Sequence, residues 1–163
     1  MVLAIISDTH LPRGQRQLPD VCLARLRGAD HILHAGDLMT VAVLEQLRAL
    51  GPPLSAVHGN VDEPALRDLL PKRLELELEG VRIGMIHDAS REAGRLERLR
   101  ERFPGCSAVV FGHSHIPLIQ RSEGFAIFNP GSATDRRRQP EHTMGMARLA
   151  HGSVEFEHVG LGP

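Results

Sequence analysis

The stretch Ile5-Ile6-Ser7-Asp8-Thr9-His10 decides how the rest of the chain is read. The apolar run from Val2 to Ile6 predicts a buried strand, and polar residues begin where it ends. Asp8 and His10 stand one residue apart, so an extended chain aims both side chains the same way. A carboxylate and an imidazole held at a strand tip make half of a metal site. The other half has to come from elsewhere in the chain.

Ligand-type residues recur just past later strands. Residues 31–34 read as a strand that ends at Ala35-Gly36-Asp37. Residues 54–57 lead into His58-Gly59-Asn60-Val61-Asp62. Helices are predicted between them. One starts near Pro19 and stops at Gly28; another is capped by Thr40, repeats Val43, Leu44, Leu47 and Leu50 at helical spacing, and ends at Gly51-Pro52. A third runs from about Glu63 to Leu70, before Pro71. This alternation implies parallel strands with helical cover.

The pattern then changes. Leu74, Leu76 and Leu78 alternate with glutamates, and after Gly80 the alternation resumes with Val81, Ile83 and Met85. A hairpin with one wet face is predicted, ending at Ile86-His87. Residues 91–103 read as an arginine-rich helix whose inner stripe is Leu96, Leu99 and Phe103; its mixed charges read as a solvated face. Residues 108–111 form a buried strand leading into Gly112-His113-Ser114-His115. Strands near 117–121 and 125–128 follow. Asn129-Pro130-Gly131-Ser132 reads as a turn, and Arg136-Arg137-Arg138 as a solvated loop. Two antiparallel strands, near 143–149 and 153–159, close the chain. Parallel and antiparallel strands together predict an α/β fold: a four-layer αββα sandwich of two mixed sheets flanked by helices, one domain over 1–163.

Composition removes several function classes. The chain has 163 residues, 42% hydrophobic, with a net charge of −1, so no global field captures nucleic acid or anionic lipid. Trp and Tyr are absent and Phe numbers five, which leaves little for stacking on bases. Nucleic acid is therefore not expected as a stable partner. No signal-peptide pattern and no run of roughly 18 apolar residues occurs, so a cytoplasmic protein without a membrane partner is expected. Cys22 and Cys106 form no close-spaced pair and read as reduced thiols. Assembly into a homo-oligomer stays open. Histidine, at ten, is the unusual count.

Five strand ends facing one rim would gather Asp8, His10, Asp37, Asn60, His87, His113 and His115. Seven ligands are too many for one ion and suit two, with one carboxylate shared. Asp37 is the natural bridge, because the others divide three and three. The nitrogen and oxygen mix suits Mn²⁺, Fe, Zn²⁺, Co²⁺ or Ni²⁺ over Mg²⁺ or Ca²⁺, with manganese the working choice. Two divalent ions against two carboxylates leave a cationic centre suited to a small phosphate ester. Ions about 3.5–4 Å apart lower the pKa of a shared water, so the expected nucleophile is a metal-bridging hydroxide. Isolated histidines at 31, 34, 142, 151 and 158 read as ordinary polar residues.

Asp-x-His at 8–10, Gly36-Asp37, Gly59-Asn60, a lone His87 after a strand, and Gly112-His113-Ser114-His115 together resemble the calcineurin-like metallophosphoesterases. The resemblance spans Asp8 to Ser132. The short length and Gly59-Asn60-Val61-Asp62 look like the small bacterial and archaeal phosphodiesterase branch, which shares its fold with the small subunit of the retromer coat. The resemblance implies one metal on Asp8, His10, Asp37 and His115, and another on Asp37, Asn60, His87 and His113. It implies a dinuclear metal-dependent phosphodiesterase, or alternatively a non-catalytic metal-binding scaffold of the same fold. Two positions depart from it. Larger members carry a His after the Asn, as acid for the leaving group, where this chain has Val61. His87, often followed by Gly-His, is followed here by Asp88-Ala89. His58 is the substitute acid to consider. Asp62 either supports Asn60 or a substrate water, or caps a helix. Asp88 either holds His87 or a metal-bound water, or is ordinary loop. The catalytic set expected is thus Asp37, Asn60, Asp62 and His58.

Overall fold

A computed structural model describes all 163 residues. The elements in chain order are β1 (Val2–Ile6), α1 (Asp20–Arg27), β2 (His31–His34), α2 (Val41–Arg48), β3 (Leu54–Ala56), α3 (Pro64–Leu69), β4 (Arg73–Leu78), β5 (Val81–Ile86), α4 (Arg95–Arg102), β6 (Ala108–Val110), β7 (Leu118–Ser122), β8 (Phe125–Asn129), β9 (Thr143–Ala150) and β10 (Ser153–Gly160). They form two five-stranded sheets, ordered β10-β9-β1-β2-β3 and β4-β5-β6-β8-β7.

Each sheet has a parallel centre and antiparallel margins. In the first, β1 pairs in parallel with β2, and β2 with β3, while β9 and β10 add antiparallel. In the second, β5, β6 and β8 are parallel, and β4 and β7 flank them antiparallel. The carboxyl ends of six parallel strands therefore face one rim. The sixth, β8, delivers the 129–132 segment to it.

Side-chain alternation along β1 builds two layers at once. Leu3 and Ile5 pack between the sheets, with Leu33, Met85, Val110, Phe128 and Phe156. Ala4 and Ile6 point the other way, under Cys22 and Leu26 of α1, Leu44 and Leu47 of α2, and Leu66 of α3. The second sheet's outer face carries Val109, Phe111 and Ile127, covered by Leu96, Leu99 and Phe103. The result is the four-layer sandwich expected. Strands buried on both faces read as continuous apolar runs, which is why β1 and β6 show no alternation.

Helix α4 starts at Arg95, later than its charge pattern suggested. Gly94, at φ 67°, is its N-cap, and a left-handed residue there ends helical geometry upstream. Thr40 caps α2 as expected, its hydroxyl accepting from the Val43 N–H at 3.4 Å. No helix is long and apolar enough to cross a membrane.

Candidate metal centre

The seven side chains named from the sequence converge at the rim in two groups. Asp8, His10 and His115 form one, with their ligand atoms all within 4.8 Å of one another; Asp37, His87 and His113 form the other. Asn60 joins the second group through Oδ1, which lies 3.0 Å from His87 Nε2 and 3.0 Å from His113 Nδ1. Asp37 links the groups. Its Oδ2 is 3.8 Å from His10 Nε2 and 3.3 Å from His87 Nε2. The first group is buried, whereas Asn60 and His113 are exposed, so the centre opens to solvent on the second group's side.

The backbone at these positions is unusual. Asp8 (φ 55°), His10 (47°), Asp37 (60°), His113 (69°) and His115 (60°) all lie in the left-handed region. For a residue with a side chain this costs on the order of 1 kcal/mol each, so the surroundings must impose it. They do so through loop-to-loop bonds. The Asp8 N–H donates to Gly36 O at 2.9 Å, His10 N–H to Asp37 O at 3.0 Å, and Gly112 N–H to His87 O at 2.9 Å. The His113 N–H reaches Asp8 Oδ2 at 3.0 Å. Strain gathered at five of the seven candidate positions and imposed from outside is characteristic of a functional centre.

Two glycines let these loops touch. A Cβ on Gly59 would sit 2.0 Å from Asp37 Oδ1, and one on Gly112 would sit 1.9 Å from Ser7 Oγ and 2.6 Å from Asp8 Oδ2.

The donor chemistry fits a pair of cations. His87 Nδ1 donates to Ala35 O at 2.8 Å and His115 Nδ1 to Asp135 O at 2.5 Å, assignments that follow from the acceptors being carbonyls. With Nδ1 on that carbonyl, the Nε2 of His115 faces the centre, and it lies 3.2 Å from His10 Nε2 and 3.5 Å from Asp8 Oδ1. Ligand-type nitrogen and carboxylate oxygen atoms gathered this closely suit a cation held among them. Burial pushes His10 down to about 4, with the neighbouring His115 adding to the effect against the pull of Asp37, so its imidazole is a neutral donor near pH 7. Burial also raises Asp8, against the opposing pull of His87 and His115. At Asp37 burial is outweighed by the His87 hydrogen bond and charge and by the Val61 N–H, which hold it down at about 2. Burial likewise opposes the charged form of His87, but Asp37 and Asp8 bring it up to about 9. His87 and Asp37 are thus an ion pair where a metal would displace the proton.

The remaining expected site residues fall as follows. Asp62 is buried, and its carboxylate accepts from the N–H groups of Asp37 (3.2 Å), Met39 (2.6 Å) and Gly59 (2.6 Å). It therefore holds the two ligand loops together. It makes no bond to the Asn60 side chain, and Glu63 is the N-cap of α3, without a side-chain cap bond. His58 is half-buried with Nδ1 3.2 Å from Gly59 O, on the wall of an open cavity of about 620 Å³ that also includes Asn60 and His87. Asp88 accepts from the Ser90 N–H at 2.7 Å on the same wall. Val61 is exposed.

Several supporting residues carry no sequence motif. Ser132 Oγ donates to Asp8 O at 2.8 Å. Asn129 Nδ2 donates to Gly112 O at 3.0 Å and Ser114 Oγ at 3.1 Å, while its Oδ1 accepts from the Gly131 N–H at 2.9 Å. The 129–132 segment is thus a clamp on the Asp8 and His113 loops. His34, read as ordinary, is completely buried; Nδ1 accepts from the Gly36 N–H at 3.1 Å and Nε2 lies 3.1 Å from Thr9 Oγ1.

Comparison with known proteins agrees with this geometry. The model of the calcineurin-like phosphoesterase superfamily domain matches residues 1–152. A probable metallophosphoesterase of Methanothermobacter thermautotrophicus is 35% identical over 164 residues, covering 99% of this chain and 94% of that protein. Two solved structures share the fold. Vps29 from Entamoeba histolytica complexed with zinc has a TM-score of 0.77 at 22% identity, covering 99% of this chain and 100% of that one. A novel archaeal phosphodiesterase has a TM-score of 0.74 at 18% identity, covering 98% and 100%. All seven converging side chains lie within the matched segment, and the chain belongs to the calcineurin-like phosphoesterase superfamily, as a metallophosphoesterase.

Proposed function

We propose that this chain hydrolyses phosphodiesters with two divalent cations, manganese first among them. The observation that carries the reading is the position of the Asp37 carboxylate, within 4 Å of a histidine from each group. Asp8, His10, Asp37 and His115 would hold one ion, and Asp37, Asn60, His87 and His113 the other. When bound, such a pair supplies Lewis acidity to phosphoryl oxygens and acidifies solvent water.

The chain's own groups do the rest. Ser7, the hydroxyl next to Asp8, is committed to Asp8 Oδ2 at 2.6 Å, and Ser132 to Asp8 O, so neither is free as a nucleophile. That leaves solvent in the attacking role. Exposed Asn60 and His113 border the side from which a substrate enters. His58, on the cavity wall, is the group we assign to the leaving oxygen in place of the histidine missing at Val61. The archaeal phosphodiesterase of the same fold supports a diester over a monoester. The exposed Val61 favours a second reading, a metal-holding interaction scaffold without turnover.

Hydrolysis of bis-p-nitrophenyl phosphate separates them. Turnover that requires added Mn²⁺ and is lost in Asp37→Asn is the expected result. Metal-loaded wild-type protein without turnover would select the scaffold.

A further inference from the structure

We propose that the cavity beside the metal centre is a second phosphate site, which makes the preferred substrate a phosphodiester bearing a further phosphate group. This rests on the phosphodiesterase reading above and names its substrate class. The cavity, about 620 Å³, begins at Asn60 and His87, two members of the second ligand group. Away from them its wall is basic: Arg67, Lys72, Arg73 and Arg102 against the single carboxylate of Asp88. In a chain of net charge −1 this is a local concentration of one sign.

None of these four cations is neutralised. The chain's arginine–carboxylate pairs are Arg16–Asp135, Arg48–Glu45, Arg82–Glu75 and Arg100–Glu123. Asp88 is turned to the Ser90 N–H. Arg73 lies over the Phe103 ring at 5.9 Å, a contact with a ring face that leaves its N–H groups available to an anion. Arg67 donates to Asn60 O at 2.6 Å, which ties the basic wall to a metal-ligand loop. The four come from α3, the turn after it, β4 and α4, so the fold assembles them from separate elements.

One hydrophobic residue, Ile86, lines the cavity, and no Phe does. The site is therefore built to recognise charge, not a stacked base. A concave wall of one sign concentrates anions, and guanidinium groups bind phosphate oxygens in pairs. With the scissile phosphate at the metals, the cavity receives a second phosphate on the same molecule.

The test uses two chromogenic diesters with the same leaving group: the p-nitrophenyl ester of thymidine 5′-phosphate, and the same ester carrying a 3′-phosphate. The second should have a kcat/KM roughly tenfold higher. That ratio should fall toward one in the double variant Lys72→Gln, Arg102→Gln. Equal kcat/KM for the two esters, or a preference the variant keeps, overturns the proposal. Lys72 is the only lysine in the chain, so it reports independently of turnover. With metal-loaded protein, thymidine 3′,5′-bisphosphate should protect Lys72 from an amine-reactive label, read by mass spectrometry, and thymidine 5′-phosphate should not. If neither ester is hydrolysed, the phosphodiesterase reading falls, and this labelling decides the cavity alone: selective protection upholds the second phosphate site, and its absence removes it.

Discussion

The Nε2 of His87 lies 3.3 Å from Oδ2 of Asp37, while its Nδ1 is fixed on Ala35 O at 2.8 Å. With Nδ1 on that carbonyl, Nε2 is the ring atom left to take a proton or a metal. With His87 brought up to about 9, the proton is present at pH 7 in metal-free protein. Metal binding at pH 7 should therefore release about one proton from this site, and affinity should rise with pH until about 9, then level. Calorimetry of Mn²⁺ binding in buffers of different ionisation enthalpy measures the proton count directly. A count of zero at pH 7 would mean that His87 is neutral before metal arrives.

Asp62 joins two ligand loops that are distant in sequence. It is 1% exposed and accepts three backbone N–H groups, two from the Asp37 loop and one from Gly59. In Asp62→Ala these donors lose their acceptor in a buried place, at a cost on the order of 3 kcal/mol. Urea unfolding should show that loss. Asp62→Asn, which keeps the shape but turns part of the acceptor into a donor, should recover only part of it. Metal affinity should weaken in both, because Asp37 and Asn60 would no longer be held at a fixed separation.

The close approach of loops at Gly59 gives a test that leaves every ligand in place. Gly59→Ala would put a Cβ 2.0 Å from Asp37 Oδ1 and 2.5 Å from the Asp37 backbone N, so the loops must separate. A metal affinity lower by about 10–100-fold is expected, as for other losses of ligand support. Gly80→Ala is the control. No atom lies within 4 Å of its Cβ, so metal affinity should stay unchanged even though φ 72° costs some stability.

The convergence of these side chains was legible in the sequence because each follows a strand that is itself readable, and strand ends of parallel sheets meet at one rim. Their support was not. Ser132 holds Asp8 across 124 residues and Asn129 holds Gly112 across 17; in each case the partner is a backbone carbonyl, which leaves no mark on residue identity. Asn129-Pro130-Gly131-Ser132 therefore reads as a turn from its residues, and only the family resemblance places it near the rim. Asp62 stands two residues after Asn60, which suggests a link to that side chain, yet its bonds go to backbone N–H groups. The basic cavity was hidden for a related reason. Its cations come from four segments, and Arg102 lies on a helix whose charge pattern reads as a wet face until its last turn is placed beside β4.

His34 gives an acid limit. Its ring is 0% exposed and burial pushes it down to about 3, from an ordinary 6.5. Nδ1 accepts from the Gly36 N–H, so the neutral form carries its proton on Nε2 toward Thr9. A histidine with a depressed folded pKa binds protons more readily when unfolded. Stability is then full above about 6.5 and declines as pH falls below it toward 3. Denaturant midpoints measured from pH 7 downward should fall faster in wild type than in His34→Gln, which cannot titrate.

The leaving-group step separates His58 from the metal ligands. His58 sits on the cavity wall; its side chain makes one hydrogen bond, from Nδ1 to Gly59 O, and none to any of the seven candidate ligand side chains. Its removal should therefore leave metal content unchanged. A general acid matters in proportion to the basicity of the oxygen it protonates, and contributes about 10²–10⁴-fold where it is needed. p-Nitrophenolate leaves without help, so His58→Ala should hydrolyse bis-p-nitrophenyl phosphate nearly as fast as wild type. An alkyl leaving group needs the proton, and there the variant should lose about 10²-fold in kcat. Plotting log kcat against leaving-group pKa for both proteins reads the effect as a slope, steeper without His58. Parallel lines would show that the proton comes from another group or from solvent, and would leave His58 as part of the wall.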